Sequence, residues 1–176
     1  HNGPGGYTEA ELRGTVRSNI VYVNHAATGA NDGTSWADAY TDLSQALDFM
    51  QAGAVEGIEV WVAQGVYKPT QGTDRSASFV ISQNIAVYGG FNGTETSRDE
   101  RKWWANPTVL SGDIGVEGDD SDNSYRVVTL RNTDFMKVLD GLIITGGRNT
   151  GGVDAGRGGG GRGGLAWEVA SRWDVG

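Results

Sequence analysis

The sequence predicts an all-β fold in which short strands stack along one axis, a β-solenoid, with a single α-helix near the N-terminal end. Three observations lead to this class. Beyond Gly57 short apolar runs recur without a helical period, glycines recur at a fixed offset after valines, and residues 36–51 alone carry a helical pattern. The chain has 29 Gly among 176 residues, as expected where many tight turns join short strands.

The N-terminal part contains one strand and the only convincing helix. Ile20–Val23 is a β-branched and aromatic run, and a polar loop follows it. Apolar residues then recur at helical spacing between Trp36 and Gln51, which predicts a helix with Thr41 as its N-cap. Gly53 is placed where a helix commonly ends in a left-handed residue.

Short apolar runs indicate strands in the remainder of the chain. They are Val60–Val62, Phe79–Ile81, Ala86–Tyr88, Val109–Leu110, Val127–Leu130 and Leu142–Ile144. A Val-x-x-Gly pattern begins at Val62, Val87, Val109 and Val138, with steps of 25, 22 and 29 residues. Steps of this size are typical of solenoid repeats. The residues alone leave an antiparallel sandwich open, although two-residue hairpin turns are scarce and loops of about 10–20 residues suit excursions from a coil.

Several segments carry a family resemblance, in a characteristic order. They are IVYVN (20–24), TGANDGTSWADAYTDLSQALD (28–48), EVWVAQGVYKPT (59–70), SFVISQNIAVYGGFNGTETSRD (78–99), NPTVLSGDI (106–114), DNSYRVVTL (122–130) and VLDGLIITGG (138–147). Together they resemble the N-terminal region of bacterial surface proteins with a pectate-lyase-like β-helix. The resemblance implies a right-handed, single-stranded parallel β-helix whose open N-terminal end is capped by the helix at 36–51.

This resemblance divides the chain into three parts. Residues 1–19 are expected to form an N-terminal arm, and residues 20–147 the capped β-helix. Residues 148–176 depart from the pattern and form a Gly/Arg-rich tail, or else close the C-terminal end with Leu165–Trp173 as an amphipathic cap. The resemblance implies an extracellular or cell-surface location, and a first residue other than Met fits a processed form or a fragment.

Composition excludes several classes of partner. With 14 basic and 22 acidic residues the chain has a formal net charge of -8, so neither duplex DNA nor an anionic membrane surface is an expected partner. No stretch approaches the ~20 apolar residues of a membrane span, so membrane insertion is not expected. The absence of Cys excludes disulfides and thiolate metal sites.

Acidic residues supply the candidate metal and catalytic groups. No cofactor is expected unless calcium binds the cluster Asp113, Asp119, Asp120 and Asp122, since flexible oxygen-rich loops suit that ion; a solvated acidic loop is the alternative. Asp113 and Asp140 end two related runs, so stacking would bring these carboxylates together as glycoside hydrolysis requires, with Arg126 beside them. Asp113, Asp140 and Arg126 together match no known catalytic motif of β-helix enzymes. Aspartates in the turns of a solenoid more commonly accept hydrogen bonds from backbone N–H groups.

The adjacent tryptophans Trp103 and Trp104 suggest a carbohydrate platform. They lie in the loop sequence DERKWWANP, where an extended backbone would turn one of the two rings toward solvent. Exposed aromatic rings can stack on sugars.

Three functions follow as expectations. The first is a non-catalytic extracellular structural or adhesive module. The alternatives are a polysaccharide lyase or hydrolase fragment using Asp113, Asp140 and Arg126, and a carbohydrate-binding module using Trp103 or Trp104. Self-association is also expected, because a solenoid exposes strand edges at its ends and a head-to-tail contact propagates into a filament.

Overall fold

The computed structural model describes residues 19–52, 57–82, 84–131, 136–149 and 167–168. Regular structure in these residues is mostly β-strand. The strands are β1 (Ile20–Val23), β2 (Ile58–Ala63), β3 (Gly65–Tyr67), β4 (Phe79–Ile81), β5 (Ile85–Phe91), β6 (Thr108–Ser111), β7 (Val128–Leu130), β8 (Val138–Asp140), β9 (Leu142–Thr145) and β10 (Trp167–Glu168). One α-helix, α1, spans Leu43–Ala52, and a 3-10 turn spans Arg98–Glu100.

The described strands form three sheets. Sheet 1 has the order β1-β2-β5-β8, sheet 2 the order β10-β9-β6-β3, and sheet 3 pairs β4 with β7. The chain from β2 to β9 enters sheets 1, 2 and 3 in turn and repeats that order, and all of these pairings are parallel. The prediction of a strand-rich fold with one helix is confirmed, and the parallel pairing excludes the antiparallel sandwich.

Parallel pairing stacks corresponding side chains into rows across sheet 1. The row of Val60, Val87 and Leu139 faces the core, where the two valines are fully buried. Successive residues of a strand point to opposite faces, so the next position belongs to the outer face. That outer row consists of Tyr22, Trp61, Tyr88 and Asp140.

Helix α1 begins later than its apolar pattern predicts. The predicted start at Trp36 is wrong: the helix starts at Leu43, where the Asp42 carboxylate accepts the Ser44 N–H at 2.7 Å. Asp42 therefore takes the N-cap role predicted for Thr41, whose N–H donates to a side chain of the preceding loop instead. The predicted C-cap at Gly53 lies outside the described residues.

The buried face of α1 packs against the first strands. Leu43, Ala46, Leu47 and Met50 are buried within the main core, and the helix contacts β1 and β4. This places the helix beside β1, which is the edge strand of sheet 1 among the described strands. No helix in the described part of the chain is long and apolar enough to cross a membrane.

Little of the predicted arm and tail is described. Residues 1–18 and 150–166 lie outside the described ranges, so the boundaries proposed at 19 and 147 stay predictions. Within the tail, β10 pairs antiparallel with β9, with Trp167 opposite Ile144 and Glu168 opposite Ile143. This strand covers the edge of sheet 2 that β9 would otherwise leave open.

Candidate functional site

The outer face of sheet 1 carries an aromatic layer under two loops. Trp61 stacks on Phe91 with ring centroids 4.7 Å apart and an interplanar angle of 12°. Trp36 packs against both rings and against Tyr22, and its indole N–H donates to the Glu95 carbonyl at 2.8 Å. The loops before α1 and after β5 are therefore anchored on the sheet by aromatic contacts.

A cleft opens where this layer ends, beside the edge strand β8. It has a volume of about 700 Å³, within the range of ~300–1,000 Å³ usual for small-ligand sites. We call it the Arg–Trp cleft, and its lining consists of Tyr88, Arg98, Asp99, Arg101, Trp103, Trp104, Val138 and Asp140. The two predicted tryptophans and one of the predicted carboxylates thus meet in one place.

A capped turn carries the two arginines of the cleft. The turn Arg98–Glu100 is closed by a capping box, in which the Glu100 carboxylate accepts the N–H groups of Thr96 and Ser97 at 2.8 and 3.2 Å. These hydrogen bonds, with that from Thr96 the largest, lower the pKa of Glu100 below its ordinary value. The turn is therefore held by an ionised carboxylate at neutral pH, and Arg101 follows it directly.

Arg98 makes its side-chain hydrogen bonds in the cleft through Nη1, and its side chain stays partly exposed to solvent. Its Nη1 donates to Glu59 Oε1 at 2.8 Å and to the Tyr88 hydroxyl at 3.0 Å. The side chain of Arg98 is nevertheless 42% exposed. Its guanidinium also lies 4.7 Å from the centre of the Tyr88 ring, which adds a cation–π contact. Arg98 can thus present hydrogen-bond donors to a molecule in the cleft.

Arg101 forms a more enclosed ion pair with Asp140. The Arg101 side chain is only 6% exposed, and its Nη2 donates to Asp140 Oδ2 at 2.7 Å. Its Nη1 reaches the Gly89 carbonyl at 3.4 Å. The second carboxylate oxygen, Asp140 Oδ1, is out of contact with solvent and has no hydrogen-bond partner. An unpaired buried acceptor is unfavourable, and a donor on a ligand satisfies it only where binding opens a path to it.

The two tryptophans form an edge-to-face pair at the rim. Their ring centroids are 5.6 Å apart at 89°, and Trp104 is 67% exposed while Trp103 is half-buried. Gly90 allows this loop to approach, because a Cβ there would lie 2.6 Å from the Trp103 Cα and its φ of +93° favours glycine. Trp104 therefore presents a large apolar surface, which agrees with the prediction that one ring faces solvent.

The other predicted catalytic residues lie outside the cleft lining. Asp113 follows β6 of sheet 2, and its carboxylate accepts the Gly118 N–H at 3.0 Å. Arg126 is exposed and precedes β7 of sheet 3. The structure thus brings Asp140 together with the tryptophans and places Asp113 and Arg126 elsewhere.

The predicted calcium ligands hold their own loop together. They are Asp113, Asp119, Asp120 and Asp122. Three of them accept backbone N–H groups of the same loop at 2.8–3.2 Å, and the fourth, Asp120, forms an ion pair with Arg148. Within the described ranges no three acidic or histidine side chains are grouped as a metal site requires. The observed bonds are those of a loop that caps its own backbone N–H groups, and calcium binding stays a prediction.

Sequence reasoning missed Tyr88, Arg98 and Arg101. A signal was present, because RDERK at 98–102 is a run of five charged residues directly before the tryptophan pair. Their partners, however, come from strands distant in the sequence. Comparisons with protein families, curated proteins and solved structures found no match for this chain.

Proposed function

We propose that this chain is a non-catalytic, extracellular adhesive module that binds polysaccharide through the Arg–Trp cleft. The observation that carries the proposal is that the exposed ring of Trp104 lines the same cleft as the fixed polar groups of Arg98 and Asp140. Sugar recognition needs this combination, since an aromatic face covers the C–H surface of a pyranose while charged side chains bond its hydroxyls.

The scaffold that we propose is a right-handed parallel β-helix of single strands. Its support is the repeated order of sheets 1, 2 and 3 along the chain, together with parallel register in each. Parallel crossovers are right-handed in about 98% of cases, which favours that hand. A stacked scaffold of this kind tolerates long loops, and the loop between β5 and β6 carries much of the cleft.

Replacing Trp104 with alanine is expected to abolish most of the binding. The ring supplies the exposed apolar surface of the cleft, so the dissociation constant for a bound polysaccharide should rise about tenfold or more. The measurement is isothermal titration calorimetry with soluble glucans, mannans and alginate, combined with tryptophan fluorescence, because a sugar stacked on Trp104 changes its emission.

The matched control for this variant is Phe49→Ala. Phe49 is also a largely exposed aromatic residue, 54% accessible, but it lies on α1 outside the cleft lining. Its loss should leave binding unchanged. Equal losses in the two variants, or no binding of any glycan by the unaltered chain, would refute the proposed function.

The enzymatic alternative rests on Asp140, which shares the cleft with the tryptophans. A hydrolase or lyase would release reducing or unsaturated oligosaccharides from a bound polysaccharide. Assaying these products in the binding samples separates the alternatives, because an adhesive module leaves the polymer intact. Chain cleavage lost in Asp140→Ala would replace the adhesive proposal with an enzymatic one.

Head-to-tail assembly remains part of the proposal. The two edges of sheet 1 differ. Backbone groups of Tyr22 in β1 are bonded to Gly33 and Tyr40 at 3.0 and 2.9 Å, whereas β8 is the last described strand at the other edge. A contact between unlike ends repeats without closing. Light scattering should therefore show a mass that grows with concentration. A strictly monomeric protein at high concentration, unchanged by deleting residues 148–176, would exclude assembly.

A further inference from the structure

We infer that the Arg–Trp cleft selects neutral sugar units over acidic ones, with Asp140 Oδ1 accepting a ligand hydroxyl. This inference rests on the proposed polysaccharide binding and adds the class of sugar.

The positive charges of the cleft are already balanced by carboxylates. Arg98 is paired with Glu59 and Arg101 with Asp140, at 2.8 and 2.7 Å. Asp99 adds a further carboxylate to the lining. The lining residues therefore carry no surplus of positive charge that would attract a uronate or a sulfated sugar, and the net charge of -8 opposes the approach of any polyanion.

One carboxylate oxygen of Asp140 lacks a hydrogen-bond donor. Oδ2 of this carboxylate is bonded to Arg101, while Oδ1 has no partner and is shielded from water. Because a water molecule does not reach Oδ1, a sugar hydroxyl donates to it only when binding moves aside the side chains that cover it. The hydrogen bond to this ionised acceptor is then stronger than one between neutral groups. An ionised carboxylate or sulfate on the ligand has no proton to give and would be repelled at this point.

The aromatic surface open to a ligand belongs to Trp104. The guanidinium groups of Arg98 and Arg101 lie 4.7 and 5.1 Å from the centre of the Tyr88 ring, so that ring serves to position the arginines. Trp104 is left as the exposed platform, in the same cleft lining as Arg98. The cleft therefore offers one stacking surface, one donor group and one acceptor, which suits an uncharged pyranose.

The test compares two substitutions that remove the same charge from the lining. Asp140→Asn removes the negatively charged acceptor, and Asp99→Asn removes a carboxylate with no such unpaired oxygen. The probes are hydroxyethyl cellulose and mannan as neutral polymers and alginate as an acidic polymer. Asp140→Asn should weaken binding of the neutral polymers about tenfold and strengthen binding of alginate. Asp99→Asn should strengthen alginate binding while leaving the neutral polymers unaffected.

A second measurement uses only the unaltered chain, so it does not depend on the folding of a variant. Binding of a neutral polymer should change less than twofold between 0.05 and 0.5 M NaCl, whereas binding driven by arginine–carboxylate attraction weakens steeply with salt. Far-UV circular dichroism verifies that the variants keep their strands.

The outcomes separate this inference from the proposed function. Preferential, salt-sensitive binding of alginate that Trp104→Ala abolishes would overturn neutral-sugar selection and leave polysaccharide binding in place. Equal losses of neutral-polymer binding in Asp140→Asn and Asp99→Asn would also overturn it, because charge alone would then explain the effect. Failure of the unaltered chain to bind any of the polymers would overturn both.

Discussion

Replacing Phe91 with alanine is expected to lower the free energy of unfolding by about 3–5 kcal/mol, the range for large-to-small changes of a buried aromatic residue. Phe91 is fully buried, stacks on Trp61 and contacts Trp36. Its loss leaves a cavity between the outer face of sheet 1 and the loops that cover it. Urea unfolding followed by far-UV circular dichroism measures the change.

Phe49→Ala is the matched control for stability as well. The Phe49 side chain is more than half exposed, and the centre of its ring lies 6.0 Å from that of Tyr40, so this substitution should lower the free energy of unfolding by less than about 1 kcal/mol. Similar losses for the two phenylalanines would contradict the description of Phe91 as the centre of a buried aromatic layer. Polysaccharide binding should also fall in Phe91→Ala, because the loop that follows Phe91 carries Trp103 and Trp104.

The second large effect is expected for Arg101→Met. This change leaves the Asp140 carboxylate, which is 23% exposed, without its cation in a largely enclosed position. Removing one member of a buried ion pair is strongly destabilising, so we expect a loss of about 3 kcal/mol in the free energy of unfolding. The same urea titration measures it.

A double variant separates the ion pair from simple packing. In Arg101→Met/Asp140→Leu no unpaired charge remains, and replacing both members with apolar side chains is often close to neutral. We therefore expect the double variant to regain most of the stability that Arg101→Met loses. A double variant no more stable than the single one would contradict the assignment of the loss to an unpaired Asp140.

Local patterns predict part of the fold closely. The runs Ile20–Val23 and Phe79–Ile81 match β1 and β4 to the residue, because β-branched and aromatic side chains favour extended backbone over so short a length. The strands β3 and β8 lie outside the predicted apolar runs, because each contains a residue that is unfavourable in strands, Gly65 in β3 and Asp140 in β8. The predicted start of α1 at Trp36 is wrong because the spacing of apolar residues does not reveal hydrogen bonds made by side chains. Such bonds hold residues 36–42 as a loop.

The Val-x-x-Gly pattern was informative for turns and misleading for register. Gly65, Gly90 and Gly141 have positive φ values of 142°, 93° and 69°, close to where the chain passes from sheet 1 toward sheet 2. Val109 already lies in sheet 2. The valines of sheet 1 are not in register either, because Val87 pairs with Val60 and Val138 pairs with Ala86. The repeated Val-x-x-Gly tetrapeptide indicates a recurring backbone turn, but it does not indicate which sheet each copy joins.

The sequence by itself determined the strand-rich class, one helix, the long loops and the exposure of a tryptophan, because each follows from local propensity and side-chain spacing. Only the tertiary structure decided the Arg–Trp cleft. Arg101 and Asp140 are 39 residues apart in the sequence, and so are Arg98 and Glu59. Each pair meets because the parallel register of sheet 1 places β2, β5 and β8 side by side beneath the loop between β5 and β6. Propensity acts over a few neighbouring residues, whereas register depends on how all the strands pack around a shared core.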